Sequence, residues 1–484
     1  MGARSRREAL ALAAAAPAAF LARRLRAAEP SPQQLIAGLG FAPTDVGFIL
    51  FDPQSGQALA EQNADQPFLP ASVAKLATAY AAVGILGAGY RFSTRLHRRG
   101  AEVFLQGGGD PVLASTDLEA LAAWLRPAPL QAASAGGDPA RLFYDDSLMI
   151  RLPEINPRQP VAAPYNTGLS ALDVNFNRIE VDWWREPDGG RAFRALSLAD
   201  GLSIPADWVA FAPAGLEIPA EMPFIPGGAQ GDAWLYSPHL PDRGFAFLPV
   251  RSTGLQTALL FRELAKAAGV MLGPPEAGRV PADAVEIGRV DSRPLREVLG
   301  GLLRYSSNPS AELIGLAASR RLTGRSMLPR QSAAALTAWL GKRLPRIDWR
   351  GFRLENHSGL TSDSRVTPRQ MAGLLAEIAA TPELMAALPP VADDGVALAA
   401  GESPRGLVGK SGTMDYARGL AGFLPARDGR PLGFAIFVFD RARRAALDAA
   451  MDPRVLEPAP AARAWIRRAL ALDQGLLRGW MASY

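Results

Sequence analysis

Cysteine is absent from the 484 residues, which removes disulfides, zinc–thiolate sites and cysteine nucleophiles while saying little about compartment. Histidine is nearly absent: His97, His239 and His357 are the whole set, and the chain contains neither a His-Glu-x-x-His pair nor a Gly-x-Ser-x-Gly elbow. His357 stands beside Ser358, but a histidine and a serine adjacent in a loop do not make a triad. Lysine is scarce as well, with only Lys75, Lys266, Lys342 and Lys410 among 52 basic side chains. A GC-rich coding sequence accounts for such a bias; against it, each remaining lysine marks a place where an ammonium able to lose its proton, or a compact point charge, has a use. No apolar run approaches the length of about 20 residues that spans a bilayer. Positive charge is missing from most of the chain too. The whole net charge of +5 sits in residues 1–28, where six arginines oppose Glu8, so the remainder is neutral and offers no electrostatic case for nucleic acid.

That basic start leads into an apolar stretch, Ala9 to Ala22, then Arg23, Arg24 and Arg26, and Ala27-Ala28 before Glu29-Pro30. The pattern reads as an export signal over residues 1–28, and the paired arginines suggest the twin-arginine route. Arg26 makes a poor cleavage site. Over the full sequence, 48% hydrophobic and 20% charged residues describe a globular chain long enough for two or three cores.

Val46–Phe51 and Gln57–Ala60 read as two strands joined by a turn at Asp52-Pro-Gln-Ser-Gly56. An apolar helix runs to about Leu86. From residue 96 to 275 the texture changes to short strand-like runs with many Pro and Gly, an insertion of one or two small, mostly β units. Helical periodicity returns at Thr257 to Ala268 and again around Leu295 to Leu303, and the chain nears its end in three strand-like runs and a helix around Ala461 to Leu472. The expected architecture is α+β: an antiparallel sheet covered by helices, built from residues 29–95 and 276–484. The terminal helix carries leucines, Trp465 and arginines, and reads as packed against the fold, with weak or no membrane association.

The first helix contains Ser72-Val-Ala-Lys75. Side chains three apart share a helix face, which brings the Lys75 amine to the Ser72 hydroxyl. A serine is a weak nucleophile unless a neighbour takes its proton, and a lysine can do so only where its surroundings lower its pKa from about 10.4. Alone, the pattern fits a capped amphipathic helix equally well. Two further motifs follow in order: Ser306-x-Asn308 in a turn ahead of a helix opened by Pro309, and Lys410-Ser411-Gly412, with Thr413, on a strand. Each has a plain reading, helix capping for the first and a strand end for the second. The ordered set, on helix, turn and strand, matches serine acyltransferases of the β-lactamase and penicillin-binding type.

With those motifs, Gly108-Gly-Asp110-Pro-Val-Leu113, Pro164-Tyr165, Ala311-Glu312, Ser358-Gly-Leu360 with Arg365-Val-Thr-Pro368, and Gly419-Leu-Ala-Gly-Phe423 make the chain resemble the class C low-molecular-mass penicillin-binding proteins, the D-alanyl-D-alanine carboxypeptidase/endopeptidases of type 4. The resemblance covers essentially the whole mature chain. It implies a β-lactamase/transpeptidase-like domain with inserted domains, exported to the periplasm, acting on peptidoglycan stem peptides and acylated by β-lactam antibiotics, with no metal or organic cofactor. Carried onto this chain, it makes Ser72 the nucleophile, Lys75 its base, Ser306 a proton shuttle, Asn308 a substrate-amide ligand and Lys410 a fixed positive field. Ser411, Gly412 and Thr413 bind the substrate, the two hydroxyls meeting its carboxylate. Two positions depart from the family pattern: Thr361-Ser362 follows Leu360 where an arginine is common, and Pro160 stands where an aspartate is expected. The resemblance therefore implies no preference for one stem-peptide side chain. A β-lactamase or esterase of the same fold, and a non-catalytic cell-wall-binding protein, are the other readings the sequence admits; oligomeric state is open.

Overall fold

The computed structural model describes residues 29–126, 139–199, 201–215, 222–228, 233–394, 405–452 and 460–484; the expected export signal, residues 1–28, lies outside them. After a short helix, α1 (Pro32–Gly38), come β1 (Val46–Phe51), β2 (Ala58–Gln62) and α2 (Lys75–Leu86). The chain then builds β3 (Ser93–Arg99), β4 (Glu102–Gln106), α3 (Ser115–Ala123) and β5 (Ala140–Asp145). Strands β6 (Arg178–Arg185), β7 (Arg191–Ala199), β8 (Leu202–Pro205), β9 (Ala210–Pro213), β10 (Phe224–Pro226), β11 (Ala233–Tyr236) and β12 (Arg243–Pro249) follow, then α4 (Thr253–Ala267), β13 (Leu272–Ala277) and β14 (Val285–Asp291). Next are α5 (Leu295–Tyr305), α6 (Asn308–Thr323), α7 (Pro329–Arg343), α8 (Pro368–Ala379) and α9 (Pro382–Ala387). The last elements are β15 (Val408–Met414), β16 (Ala417–Pro425), β17 (Pro431–Phe439), α10 (Arg441–Ala450) and α11 (Pro460–Ser483).

One antiparallel sheet runs β15-β16-β17-β1-β2. Its central strands are apolar on both faces, and the period-two alternation of a strand divides them between two cores. Val46, Phe48 and Leu50 of β1, with Phe434, Ile436 and Val438 of β17, pack against Trp465, Leu472 and Leu476 of α11. Ile49 and Phe51, with Phe437 and Phe439, face the opposite way into a larger core shared with α2, α5, α6, α7 and α8. A sheet covered on both faces by helices reads as continuous hydrophobic sequence, which is why β1 and β17 carry no polar alternation. The terminal helix continues to Ser483, past the expected end near Leu472, because Leu476, Leu477 and Trp480 extend its apolar stripe over the sheet.

A second five-stranded sheet, β13-β5-β4-β3-β14, carries α3 and α4 over its own core. Sheets β12-β6-β7-β8 and β10-β11-β9 enclose a further small core around Trp234, Phe224 and Val181. We propose that residues 93–291 form the inserted unit. Strand β14 falls beyond residue 275, but it pairs with β3 from Val285 to Asp291 and so belongs to that sheet.

Candidate active site

Ser72 lies in a tight 3-10 turn, Ala71–Ala74, that runs straight into α2. Ala71 is held at φ 46°, a left-handed conformation that a residue with a Cβ adopts at some cost, and it sits immediately before the serine. Strand β15 is the edge of its sheet and abuts this turn. A Cβ on Gly412 would stand 2.5 Å from the Ser72 nitrogen and 2.7 Å from the Pro70 oxygen, so only glycine allows this approach.

The amine of Lys75 is wholly buried and has three oxygens around it: Ser72 Oγ at 2.9 Å, Asn308 Oδ1 at 2.8 Å and the Ser358 carbonyl at 2.8 Å. Asn308 opens α6 with its amide orientation fixed, since Nδ2 donates to the Tyr165 carbonyl at 3.2 Å. Its Oδ1 and the Ser358 carbonyl can only accept. A neutral amine has two protons and one lone pair. With the protons given to those two oxygens, the lone pair is left facing the Ser72 hydroxyl.

Charge favours that neutral form. Burial lowers the Lys75 pKa well below its ordinary value and the positive charge of Lys410 lowers it further, against a smaller opposing pull from Glu312. Lys410 is itself buried on β15, and Ser411 beside it is nearly so. Glu312 lies one turn beyond Asn308 on α6, wholly buried; it accepts from the His357 and Ser358 nitrogens at 3.1 and 2.8 Å. It thereby holds the peptide segment whose carbonyl meets Lys75. Burial pushes the Glu312 carboxyl up, while those donors and Lys75 draw it down. His357 contributes only its backbone here: its ring bonds Ser332 at 2.7 Å, and burial drops its pKa to about 3.

Ser306 occupies the left-handed residue (φ 55°) between α5 and α6 and is half-buried. Its hydroxyl makes no hydrogen bond with a described residue and is bonded to neither Ser72 nor Lys75. Thr413 is exposed and lines, with Ser72, Tyr165, Asn308 and Asp415, a cleft of about 510 Å³. The Gly409 N–H points off the sheet edge to the Pro389 carbonyl; by strand alternation the N–H groups of Ser411 and Thr413 point off the same edge. Residue types alone did not reveal the Ser358 carbonyl as a partner of Lys75, since it is a backbone atom. Glu312 did leave a signal, standing four residues after Asn308 on the same helix face.

Among the described residues no group of three His, Asp or Glu side chains could hold a metal ion, and no helix is long and apolar enough to cross a membrane.

A family model described as D-Ala-D-Ala carboxypeptidase 3 (S13) matches residues 41–200 and 250–456. A D-alanyl-D-alanine carboxypeptidase of Actinomadura sp. (strain R39) is 28% identical over 424 residues, covering 81% of this chain and 77% of that protein. A carboxypeptidase of Mycobacterium tuberculosis is 28% identical over 432 residues, covering 84% and 80%. Penicillin-binding protein 4 of Haemophilus influenzae superposes with a TM-score of 0.71 at 18% identity, over 93% of this chain and 99% of that one. The same protein complexed with a β-lactam superposes with a TM-score of 0.65 at 18% identity, over 88% and 95%.

Proposed function

The chain belongs to the D-Ala-D-Ala carboxypeptidase 3 (S13) family, and from that premise we propose that it is a penicillin-sensitive serine peptidase that cleaves the D-alanyl-D-alanine bond of peptidoglycan stem peptides. The observation that carries this reading is the buried Lys75 amine 2.9 Å from Ser72 Oγ, its other two contacts being fixed acceptors.

In the proposed reaction Ser72 Oγ attacks the carbonyl between the two D-alanines while its proton passes to the Lys75 lone pair. Backbone N–H groups of Ser72 and Thr413 meet the developing oxyanion, each such donor contributing about 3 kcal/mol in the transition state. The C–N bond then breaks, and the D-alanine amine leaves with a proton relayed from Lys75 through Ser306. Asn308 holds the substrate amide. Lys410 keeps Lys75 unprotonated, and with the Ser411 and Thr413 hydroxyls it attracts the terminal carboxylate. Water resolves the acyl-enzyme, regenerating Ser72. With a pentapeptide donor the result is carboxypeptidase action; with a crosslinked donor the same steps give endopeptidase action. We place the reaction in the periplasm, on the export signal read in residues 1–28.

Intact-mass measurement after exposure to benzylpenicillin tests the reading. A lasting adduct on the wild type that is missing from Ser72→Ala supports it. An adduct on neither protein overturns it, and rapid turnover of the drug would favour a β-lactamase.

A further inference from the structure

We propose that Arg418 is a positioning residue for recognition of an anionic leaving group, acting through the Thr413 hydroxyl and anchored by Asp473 of the C-terminal helix. The inference rests on the peptidase reading and concerns its choice of substrate: acyl donors whose leaving group ends in a free carboxylate.

Thr413 and Arg418 are cross-strand partners on β15 and β16. Arg418 is buried, 3% exposed, while Thr413 lines the cleft. Its Nη1 donates to Thr413 Oγ1 at 2.7 Å, and its Nε donates to Asp473 Oδ2 at 2.9 Å. Asp473 belongs to α11 and is wholly inaccessible, so a helix from the far end of the chain fixes the guanidinium against the catalytic strand.

The geometry is not that of an ion pair built for stability alone. Arg and a carboxylate optimise their attraction as a two-pronged fork. Here only Nε reaches Asp473, Nη1 on the other side of the guanidinium goes to Thr413, and the second prong, Arg418 Nη2, and Asp473 Oδ1 both stay buried without a hydrogen-bond partner, a cost that a merely structural pair has no reason to carry.

A hydroxyl has one proton and two lone pairs. When a cationic donor occupies a lone pair of Thr413 Oγ1, the O–H is turned away from the guanidinium and is presented as a donor. A carboxylate only accepts, so a hydroxyl locked in the donating sense suits it, whereas a free rotor would serve a neutral group equally. The donor is also strengthened, because a hydroxyl that accepts from a cation gives up its own proton more readily. The guanidinium and not the Asp473 carboxylate adjoins Thr413, so the charge bonded directly to that hydroxyl is positive. Asp473 serves as the counter-ion that makes burial of the arginine tolerable.

Two thioester acyl donors that differ only in the leaving thiol test the inference, one ending in a free carboxylate and the other in its methyl ester. Arg418→Gln alone would strand the Asp473 charge, so the first variant is Arg418→Gln with Asp473→Asn. The second is Arg418→Lys, which keeps the ion pair but has too short a reach to bond Thr413 as well. Melting curves identify the folded variants. The wild type should prefer the carboxylate donor, and in a folded variant the ratio of kcat/KM for carboxylate over ester should fall by about tenfold, with the ester rate nearly unchanged. An unchanged ratio in either folded variant overturns the proposal, as does an equal loss on both donors. Penicillin adduct formation by the wild type, measured alongside, reports on the peptidase reading separately.

Discussion

Lys75 Nζ and Asn308 Oδ1 stand 2.8 Å apart, although 233 positions separate them along the chain. The contact joins the first turn of α2 to the first turn of α6, and those helices pack on one another inside the larger core. Apolar burial between two helices thus sets the position of a polar contact at their ends, and the proton chemistry follows from how firmly that packing holds.

Replacing Lys75 by arginine separates charge from proton acceptance. A guanidinium stays protonated at any pH the protein survives, so Lys75→Arg has no lone pair to offer Ser72. Acylation by benzylpenicillin should slow by about a thousandfold, read as the rate of adduct formation by intact mass. A rate within tenfold of wild type would show that Lys75 is not the base.

Glu312→Gln should move a pH profile in a defined direction. The Glu312 charge raises the proton affinity of Lys75 against burial and Lys410. Without it the Lys75 pKa falls further, the amine becomes neutral at lower pH, and the acidic limb of kcat/KM shifts to lower pH. The glutamine's oxygen can still accept from both backbone donors, but its NH2 would stand where Oε2 now accepts from the His357 N–H at 3.2 Å, and stability should drop by about 1–3 kcal/mol. A thioester assay run across pH checks the limb; movement to higher pH would contradict the assignment.

Ser306→Ala should discriminate between leaving groups. An amine must be protonated as it departs, whereas a thiolate leaves unaided. The variant should lose about a hundredfold on a D-alanyl-D-alanine peptide and far less on a thioester. Equal losses on both would remove Ser306 from the proton path.

Asp173 gives a prediction about stability alone. Burial pushes its carboxyl up from 3.8 to about 7, and its Oδ2 has no partner. Between those values the folded protein holds a proton that the unfolded chain releases, so this residue's contribution is full below pH 3.8 and is lost as pH rises through 7. Asp110, also pushed up to about 7 by burial, acts in the same sense. Asp173→Asn cannot ionise; its melting temperature relative to wild type should therefore increase from pH 5 to pH 8. A constant difference would show that Asp173 does not titrate in that range.

Much of this protein is readable from its residues in order. The runs Val46–Phe51 and Pro431–Phe439, short, rich in Phe, Val and Ile and bounded by turn residues, fit strands of a sheet covered on both faces. Ser72 and Lys75 are three apart, so local backbone geometry alone brings amine and hydroxyl together. Gly412 is legible as a position without a side chain, but its reason, the Pro70–Val73 turn lying against it, is not.

The tertiary structure decided what surrounds that pair. The Ser358 carbonyl at Lys75 and the path from Asp473 through Arg418 to Thr413 have no signature in residue spacing, and the spacing of Glu312 from Asn308 shows its helix face but not the backbone donors it meets. Each joins segments that meet only after the chain has left for the inserted sheets and returned, or after the last helix has closed over the sheet. Local geometry propagates over a few residues, so it fixes the nucleophile and its neighbour. The pKa of that neighbour depends on burial and on charges contributed from every side, which exist only once the cores have closed.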